Sequence, residues 1–557
     1  MNGPVPSPPD GADDRPAQEP DDSPPPAGGR HYGPGRGSGG YKPLTRRAML
    51  ARLAMGTAAA GVAAVLGTIV VEESTRKGRP VPTTGFPEDL AVPQLASEAN
   101  SVVEGAAQVF RSRPDLRPPT ITVDVRAADF GPNLVLTDSH AGPAQQGPMI
   151  IDGHGDLVWF LPLSPGADAG LRAFNLQTWP YRGQQVLGWF QGAVVNAHGV
   201  GHYELYDSTY KKVGDVYAQN GYQGDLHDFM ITPQGTALFT CYGQSLADLS
   251  RYGGSKRGIY FYGVVQEVDL STGKVVFEWR SDHHIGFDES YLPAHPTGPW
   301  DYFHINSIDI DPADGKLIIS GRNTWAFYKV DRPSGNVVWR LGGNASNFQL
   351  GPGAHFAFQH DVRRHADTTV TLFDNEGGPP AEAATSRGVV LSVNEKSRQA
   401  NLLRQYLHSP AVLSEALGSV QNLESGNRFI GWGESSYFTE YGANGSPVFD
   451  ARLADGTESY RALKQVWQGT PAEPPAMAVV SGSSSATVYA SWNGSTGVAS
   501  WLVLGGQHPA RLGPLGRAPR RGFETAITVP HPPLYLAVEA VATTGTVLAR
   551  SATAQLQ

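Results

Sequence analysis

FHINSIDIDPADGKLIISGRN, residues 303–323, reads as two short strands of alternating polarity around a turn at 312–315, with His304 just ahead of the first strand. Two other segments have the same shape. They are LHDFMITPQGTALFTCYG at 226–243, around His227, and FQHDVRRHADTTVTLFDNE at 358–376, around His360. Repetition of whole supersecondary units marks a repeat architecture, in which equivalent positions occupy equivalent places. If the repeats close into a ring, their three histidines converge.

A second unit recurs between these hairpins: an acidic or polar residue, a turn with glycine, then V-V-W or a relative of it. It occurs as IIDGHGDLVWF from Ile150, VDLSTGKVVFEW from Val268 and VDRPSGNVVWRL from Val330. Weaker copies are LYDSTYKKVGDVY from Leu205, VNEKSRQANLLRQY from Val393 and YGANGSPVFDARL from Tyr441. Six such units, each supplying an inner and an outer hairpin, predict an all-β, six-bladed β-propeller over 119–467. Trp159, Trp279 and Trp339 then belong between blades as core. After about residue 468 the alternation changes. AVVSGSSSATVYASWNG, ASWLVLGG, FETAITVP and LYLAVEAVATTGTVLARS predict a small C-terminal β-sandwich over 468–557.

Composition narrows the partners. The chain has 557 residues and a formal net charge of −9, which argues against nucleic acid or an anionic membrane surface. Its 66 glycines and 44 prolines suit many tight turns. Cys241 is the sole cysteine, so neither an intrachain disulfide nor a multi-cysteine metal site can form. Residues 1–43 are rich in Pro, Gly and Asp and read as a disordered tail. The segment 44–72 contains TRRAMLARLAMGTAAAGVAAVLGTIVV, a twin-arginine pattern at Arg46-Arg47 followed by an apolar run long enough to span a bilayer. No small-x-small cleavage site follows, so a transmembrane anchor is expected ahead of a removed signal. Either outcome places the bulk of the protein outside the cytoplasm. Residues 73–118 read as a linker with one short helix near Leu95–Phe110.

Folding the 303–323 hairpin about its turn sets Arg322 beside His304. The same operation sets His227 near Tyr242 and His360 near Phe373 to Asn375. Strand alternation puts Asn306 on the face of His304, and turns Asp228 and Asp361 away from it. Imidazole serves as nucleophile, acid, base or metal ligand. No carboxylate pair, G-x-S-x-G or phosphate loop accompanies the three histidines. The fork of Arg322 suits an anionic group with several oxygens and would repel a metal dication.

The segments LHDF, DYFHINSIDID, LIISGRNTWAFYKVDRPSGNVVWRLGG and FAFQHDV…LFDN resemble the arylsulfotransferase family of the exported type that needs no nucleotide sulfate donor, over roughly residues 120–445. The resemblance implies a six-bladed propeller that moves a sulfuryl group from a phenolic sulfate to a phenol through a sulfohistidine. It makes His360 the nucleophile, gives His227 and His304 the sulfuryl oxygens or the phenolic proton, and lets Arg322 neutralise the moving group. Asn306, Tyr242 and Asn375 are then expected to meet substrate. Neither cofactor nor metal is implied. Tyr302, Phe303, Trp325 and Phe356 flank the cluster, as core or as stacking partners of an aromatic donor. Some exported members carry a disulfide near the site, which this chain cannot form. Two other readings stand beside this one: a three-histidine metal site for lyase or hydrolase work, and a membrane-tethered binding propeller without chemistry.

Overall fold

The turn motif ahead of each V-V-W unit has a simple physical basis. Asp269 Oδ1 accepts the backbone N–H groups of Ser271 and Thr272 at 2.9 and 2.8 Å, and Gly273 takes a φ of +69°. Asp331 and Gly335 (φ +71°) repeat the arrangement. An acidic side chain thus replaces solvent at the turn amides, and glycine takes the left-handed position at no steric cost.

These turns close antiparallel four-stranded sheets in a computed structural model that describes residues 102–163, 170–378 and 381–556. The 303–323 hairpin becomes Ile305–Ile310 and Leu317–Gly321, continued by Ala326–Val330 and Val337–Gly342. The His227 segment leads Gly224–Ile231, Thr236–Ala247, Gly258–Asp269 and Val275–Arg280. The His360 segment leads His360–Arg364, Thr369–Asp374, Arg387–Asn394 and Gln399–Tyr406. Arg172–Tyr181, Gln184–Val195, His198–Tyr206 and Lys212–Val216 form another such set, joined to the His227 sheet by the pair Gly224 and Gly201.

The two remaining sheets take strands from both ends of the fold. Leu463–Gln465 pairs with Leu134–Ser139 to complete a sheet with Gly147–Ile151 and Leu157–Phe160. Ile121–Val125 pairs with the last strand of the set Ser419–Asn422, Arg428–Gly431, Tyr437–Tyr441 and Pro447–Leu453. The lead strands of the six sheets are neighbours in cyclic order, in a propeller-like arrangement of open sheets. Trp159, Trp279 and Trp339 are buried at 3%, 2% and 1% exposure, as the repeat predicts. Trp339, for example, packs with Leu372, Val389 and Leu391 of the next sheet.

Charged side chains tie the lead strands together at the centre. The Asp228 carboxylate accepts from Arg363 Nη2 and Arg461 Nη1, both at 2.9 Å, and from the Ile308 N–H at 2.8 Å. Asp361 accepts from Arg363 Nε at 2.8 Å and from the Val420 N–H at 3.0 Å. Both aspartates turn away from the histidines beside them, as strand alternation predicts.

The C-terminal residues form two facing sheets. One is Ala476–Ser481, Ser485–Ser491 and Glu524–Pro530; the other is built on Arg511–Pro519, Ser500–His508, Tyr535–Val541 and Val547–Arg550. Trp501, Val503, Ile527 and Val538 fill the space between them. Asn493 binds both the N–H and the C=O of Phe160 at 3.0 Å, and the Glu524 carboxylate accepts the N–H groups of Arg111 and Ser112. All described residues belong to one compact unit, Arg76–Gln557.

The short helix expected near Leu95–Phe110 is not formed in its described part. Val102–Glu104 and Ala107–Val109 instead make a hairpin around Gly105 at φ +66°, because β-branched residues and a turn glycine outweigh a weak helical period. The tail and the twin-arginine segment lie outside the described residues. Among the described residues no helix is long and apolar enough to cross a membrane.

Candidate functional site

Each of the three histidine-bearing strands has an irregular register at its site end. The shift lies between Gly224 and Phe229, between Ile305 and Ser307, and between His360 and Arg363. His304 itself has φ +52°, as Asp361 has φ +53° and Phe358 φ +56°. Left-handed conformations cost a non-glycine residue about 1–2 kcal/mol each, and bulges re-aim side chains beside active sites. Strain is thus present at His304 and beside His360, while a register shift alone marks the His227 strand.

The Nε2 atoms of His227 and His304 lie 3.2 Å apart. Each ring is braced from behind by a carboxylate. His227 Nδ1 is 2.7 Å from Asp225 Oδ2, and His304 Nδ1 is 2.5 Å from Asp301 Oδ2. A third imidazole, His198, brings Nε2 to 2.8 Å from the same Asp301 oxygen and stacks on Tyr242 at 3.7 Å. Burial works to raise Asp225, yet His227 and its other donors hold it down at about 2. For Asp301 burial is likewise outweighed, by His304 and His198, and the carboxyl sits far below the usual range. Burial pushes His304 down to about 4 against the upward pull of Asp301.

His360 is held differently. Its Nδ1 lies 2.7 Å from Asn375 Oδ1 and 3.1 Å from the Phe358 carbonyl, two acceptors, so Nδ1 carries the hydrogen. The Asn375 amide is itself fixed, since Nδ2 donates to the carbonyls of Ser414 and Leu417 at 3.0 Å each. Nε2 therefore carries the lone pair, and it accepts a hydrogen bond from the Leu417 N–H at 3.3 Å. Burial, and then the charge of Arg322, push His360 well below the ordinary histidine value, so the ring is neutral at pH 7.

Arg322 stands across from His304, its backbone N–H donating to the His304 carbonyl at 2.9 Å, as the hairpin register predicts. Its guanidinium donates to Asn323 Oδ1 and to the Glu415 carbonyl and lies 4.8 Å from the Phe358 ring centroid. Tyr242 walls the cluster, with its OH donating to the Ile305 carbonyl at 2.8 Å.

Two expected substrate contacts take other work. Asn375 is spent on orienting His360. The bulge takes Asn306 off the face of His304: its Nδ2 donates to the Gln359 carbonyl at 2.6 Å, although its Oδ1 is buried with no hydrogen-bond partner. Tyr302, Phe303 and Phe356 are core residues, while Trp325 is partly exposed and stacks on Tyr291 at 3.6 Å.

Asp225, Asp301 and His198 were missed in the sequence. The first two carry a signal, a carboxylate two or three residues ahead of a histidine; His198 comes from another sheet and carries none. Among the described residues two groups bring ligand-type atoms within 4.8 Å of one another, His198–Asp301–His304 and His202–Glu204–Asp215. The first is joined by the hydrogen bonds above. In the second the Lys212 ammonium already lies 2.9 and 2.6 Å from the two carboxylates. His227, His304 and His360 do not form such a group.

The family model described as Arylsulfotransferase (ASST) matches residues 181–454. No curated protein matches the chain. Among solved structures, a protein of unknown function from Bacteroides caccae is similar at 11% identity and a TM-score of 0.37, over 60% of this chain and 99% of that one. A periplasmic gluconolactonase of Pseudomonas aeruginosa is similar at 12% identity and a TM-score of 0.32, over 72% and 99%. A catalytically inactive virginiamycin B lyase from Staphylococcus aureus, with quinupristin, is similar at 9% identity and a TM-score of 0.31, over 66% and 95%.

Proposed function

Over residues 181–454 the chain belongs to the arylsulfotransferase family, and from that premise we propose that it moves a sulfuryl group from a phenolic sulfate ester to a phenol through a sulfohistidine at His360. The observation that carries this reading is the state of His360: neutral beside the charge of Arg322, with Nδ1–H held by Asn375 and with an Nε2 lone pair that accepts from the Leu417 N–H at 3.3 Å. In the first half-reaction Nε2 attacks sulfur, the bond from sulfur to the aryl oxygen breaks, and the His227–His304 pair supplies the proton that leaves with the phenol. In the second half-reaction the acceptor phenol returns its proton to the pair as it takes the sulfuryl group.

Sulfuryl transfer resembles phosphoryl transfer in that the moving group spreads charge over equatorial oxygens, so positioning and charge stabilisation supply most of the rate. In this scheme Arg322 serves those oxygens, the Leu417 N–H passes from Nε2 to one of them as the N–S bond forms, and no nucleotide or metal is required. The six sheets act as the blades of a propeller over 119–467, with 468–557 as a supporting sandwich. A twin-arginine signal or anchor at 44–72 delivers the catalytic part outside the cytoplasm.

Steady-state rates with p-nitrophenyl sulfate and varied phenol test the scheme. Parallel double-reciprocal lines are expected of a covalent intermediate. Intersecting lines, or turnover that depends on an added metal, would overturn it.

A further inference from the structure

His198 sits where the hydrophobic pattern does not call for a buried ring. The strands Gln184–Val195 and His198–Tyr206 are joined by Asn196 and Ala197, at φ +53° and +63°, in a two-residue turn that pairs Val195 with His198. At this tip the valines are outside and the histidine inside: Val195 and Val200 are 44% and 43% exposed, and His198 is 4% exposed. The next residue reaches inward too. The Gly199 N–H donates to Asp225 Oδ1 at 2.6 Å, and a Cβ there would lie 2.2 Å from the Leu226 nitrogen. One hairpin tip therefore grips both carboxylates that back the histidine pair, Asp301 through the His198 ring and Asp225 through a backbone amide.

The proton count of that pair follows from its partners. Carboxylates only accept, so Nδ1 of His227, Nδ1 of His304 and Nε2 of His198 all carry hydrogens. A proton taken up by the pair lies between the two Nε2 atoms, which are 3.2 Å apart. The hold on that proton depends on how each carboxylate divides its charge among its donors. Facing the pair are Asp225, Asp301, His198, Arg322, His360, Tyr242 and Tyr460.

Resting on the sulfuryl-transfer reading above, we propose that His198 is a positioning residue for the reaction, which by sharing Asp301 Oδ2 with His304 fixes His304 with its Nε2 toward His227 and so readies the shared proton for the departing aryl oxygen. The step balances. As His360 Nε2 bonds to sulfur, the electron pair of the breaking S–O bond stays on the aryl oxygen. The proton moves from the pair to that oxygen, the phenol leaves, and the pair becomes neutral.

The test compares His198→Phe, which keeps a ring against Tyr242 but donates nothing to Asp301, with His198→Gln, whose amide N–H can. Each is measured for kcat, KM, thermal midpoint and pH profile, with p-nitrophenyl sulfate and with phenyl sulfate as donors. Phenyl sulfate has the poorer leaving group and needs the proton more. His198→Phe is expected to lose at least about tenfold more kcat on phenyl sulfate than on p-nitrophenyl sulfate, with KM little changed. Its alkaline limb should move to higher pH, since Asp301 then acts on His304 alone. His198→Gln should restore both. Equal losses on the two donors with an unmoved pH profile, or a wild-type-like His198→Phe, overturn the role of His198 while wild-type turnover and the His360 adduct stand. Absence of wild-type transfer overturns the reading on which it rests.

Discussion

At the scale of the residue, the chemistry reduces to which imidazole nitrogen holds a hydrogen. Asn375 settles that for His360. Asn375→Leu, close in volume but without an acceptor, should lower kcat about a hundredfold with the far-ultraviolet spectrum unchanged. Arg322→Lys should lose most of the transfer rate even though charge is kept, because an ammonium cannot present a planar fork to several oxygens; full activity in this variant would remove the proposed clamp. The pH profile follows from the direction of the His360 shift. Only the neutral ring attacks, and its protonation is displaced well below 6.5, so nucleophile loss should set in below the ordinary histidine range. Initial rates between pH 8 and pH 5 check this, and a fall centred on 6.5 would contradict it. The meeting of His227 with His304 and the place of Arg322 opposite His304 were legible in the sequence because repetition marks equivalent positions and hairpin symmetry marks opposite ones. His198 was not, since its partner Asp301 is 103 residues away.

At the scale of the element, the hairpins, the turn aspartates and the outer tryptophans were legible because the period of two and the turn chemistry are local. The bulges were not. Strict alternation predicts Asn306 beside His304, whereas the register slips between Ile305 and Ser307 and sends its amide to Gln359. A slip of that kind is selected by what the site needs from several strands, which no single strand records. The tip at Asn196 and Ala197 gives a test of this level. Alanine at φ +63° carries left-handed strain, so Ala197→Gly should stabilise the protein by about 1 kcal/mol, net of the greater freedom of glycine when unfolded. Denaturant titration reads the change, and a loss of stability would mean the tip is held in some other way.

At the scale of the whole molecule, six similar sheets were predicted from six similar units, but the sequence carried no mark of how the ends join. Leu463–Gln465 pairing with Leu134–Ser139, and Ile121–Val125 pairing with Pro447–Leu453, are contacts between opposite ends of the fold. The same holds for the ionic centre, where Arg461, 2% exposed, reaches Asp228. Arg461→Ala leaves buried carboxylates short of a partner and should cost about 3–5 kcal/mol, seen as a lowered unfolding midpoint. Chelator treatment, by contrast, should leave transfer unchanged. The most direct measurement incubates the protein with p-nitrophenyl sulfate and no acceptor, quenches it, and maps sulfuryl adducts by peptide mass spectrometry. The adduct is expected on His360, discharged by phenol and missing in His360→Ala. Nitrophenol release with no adduct, or with the adduct on another residue, would contradict the account.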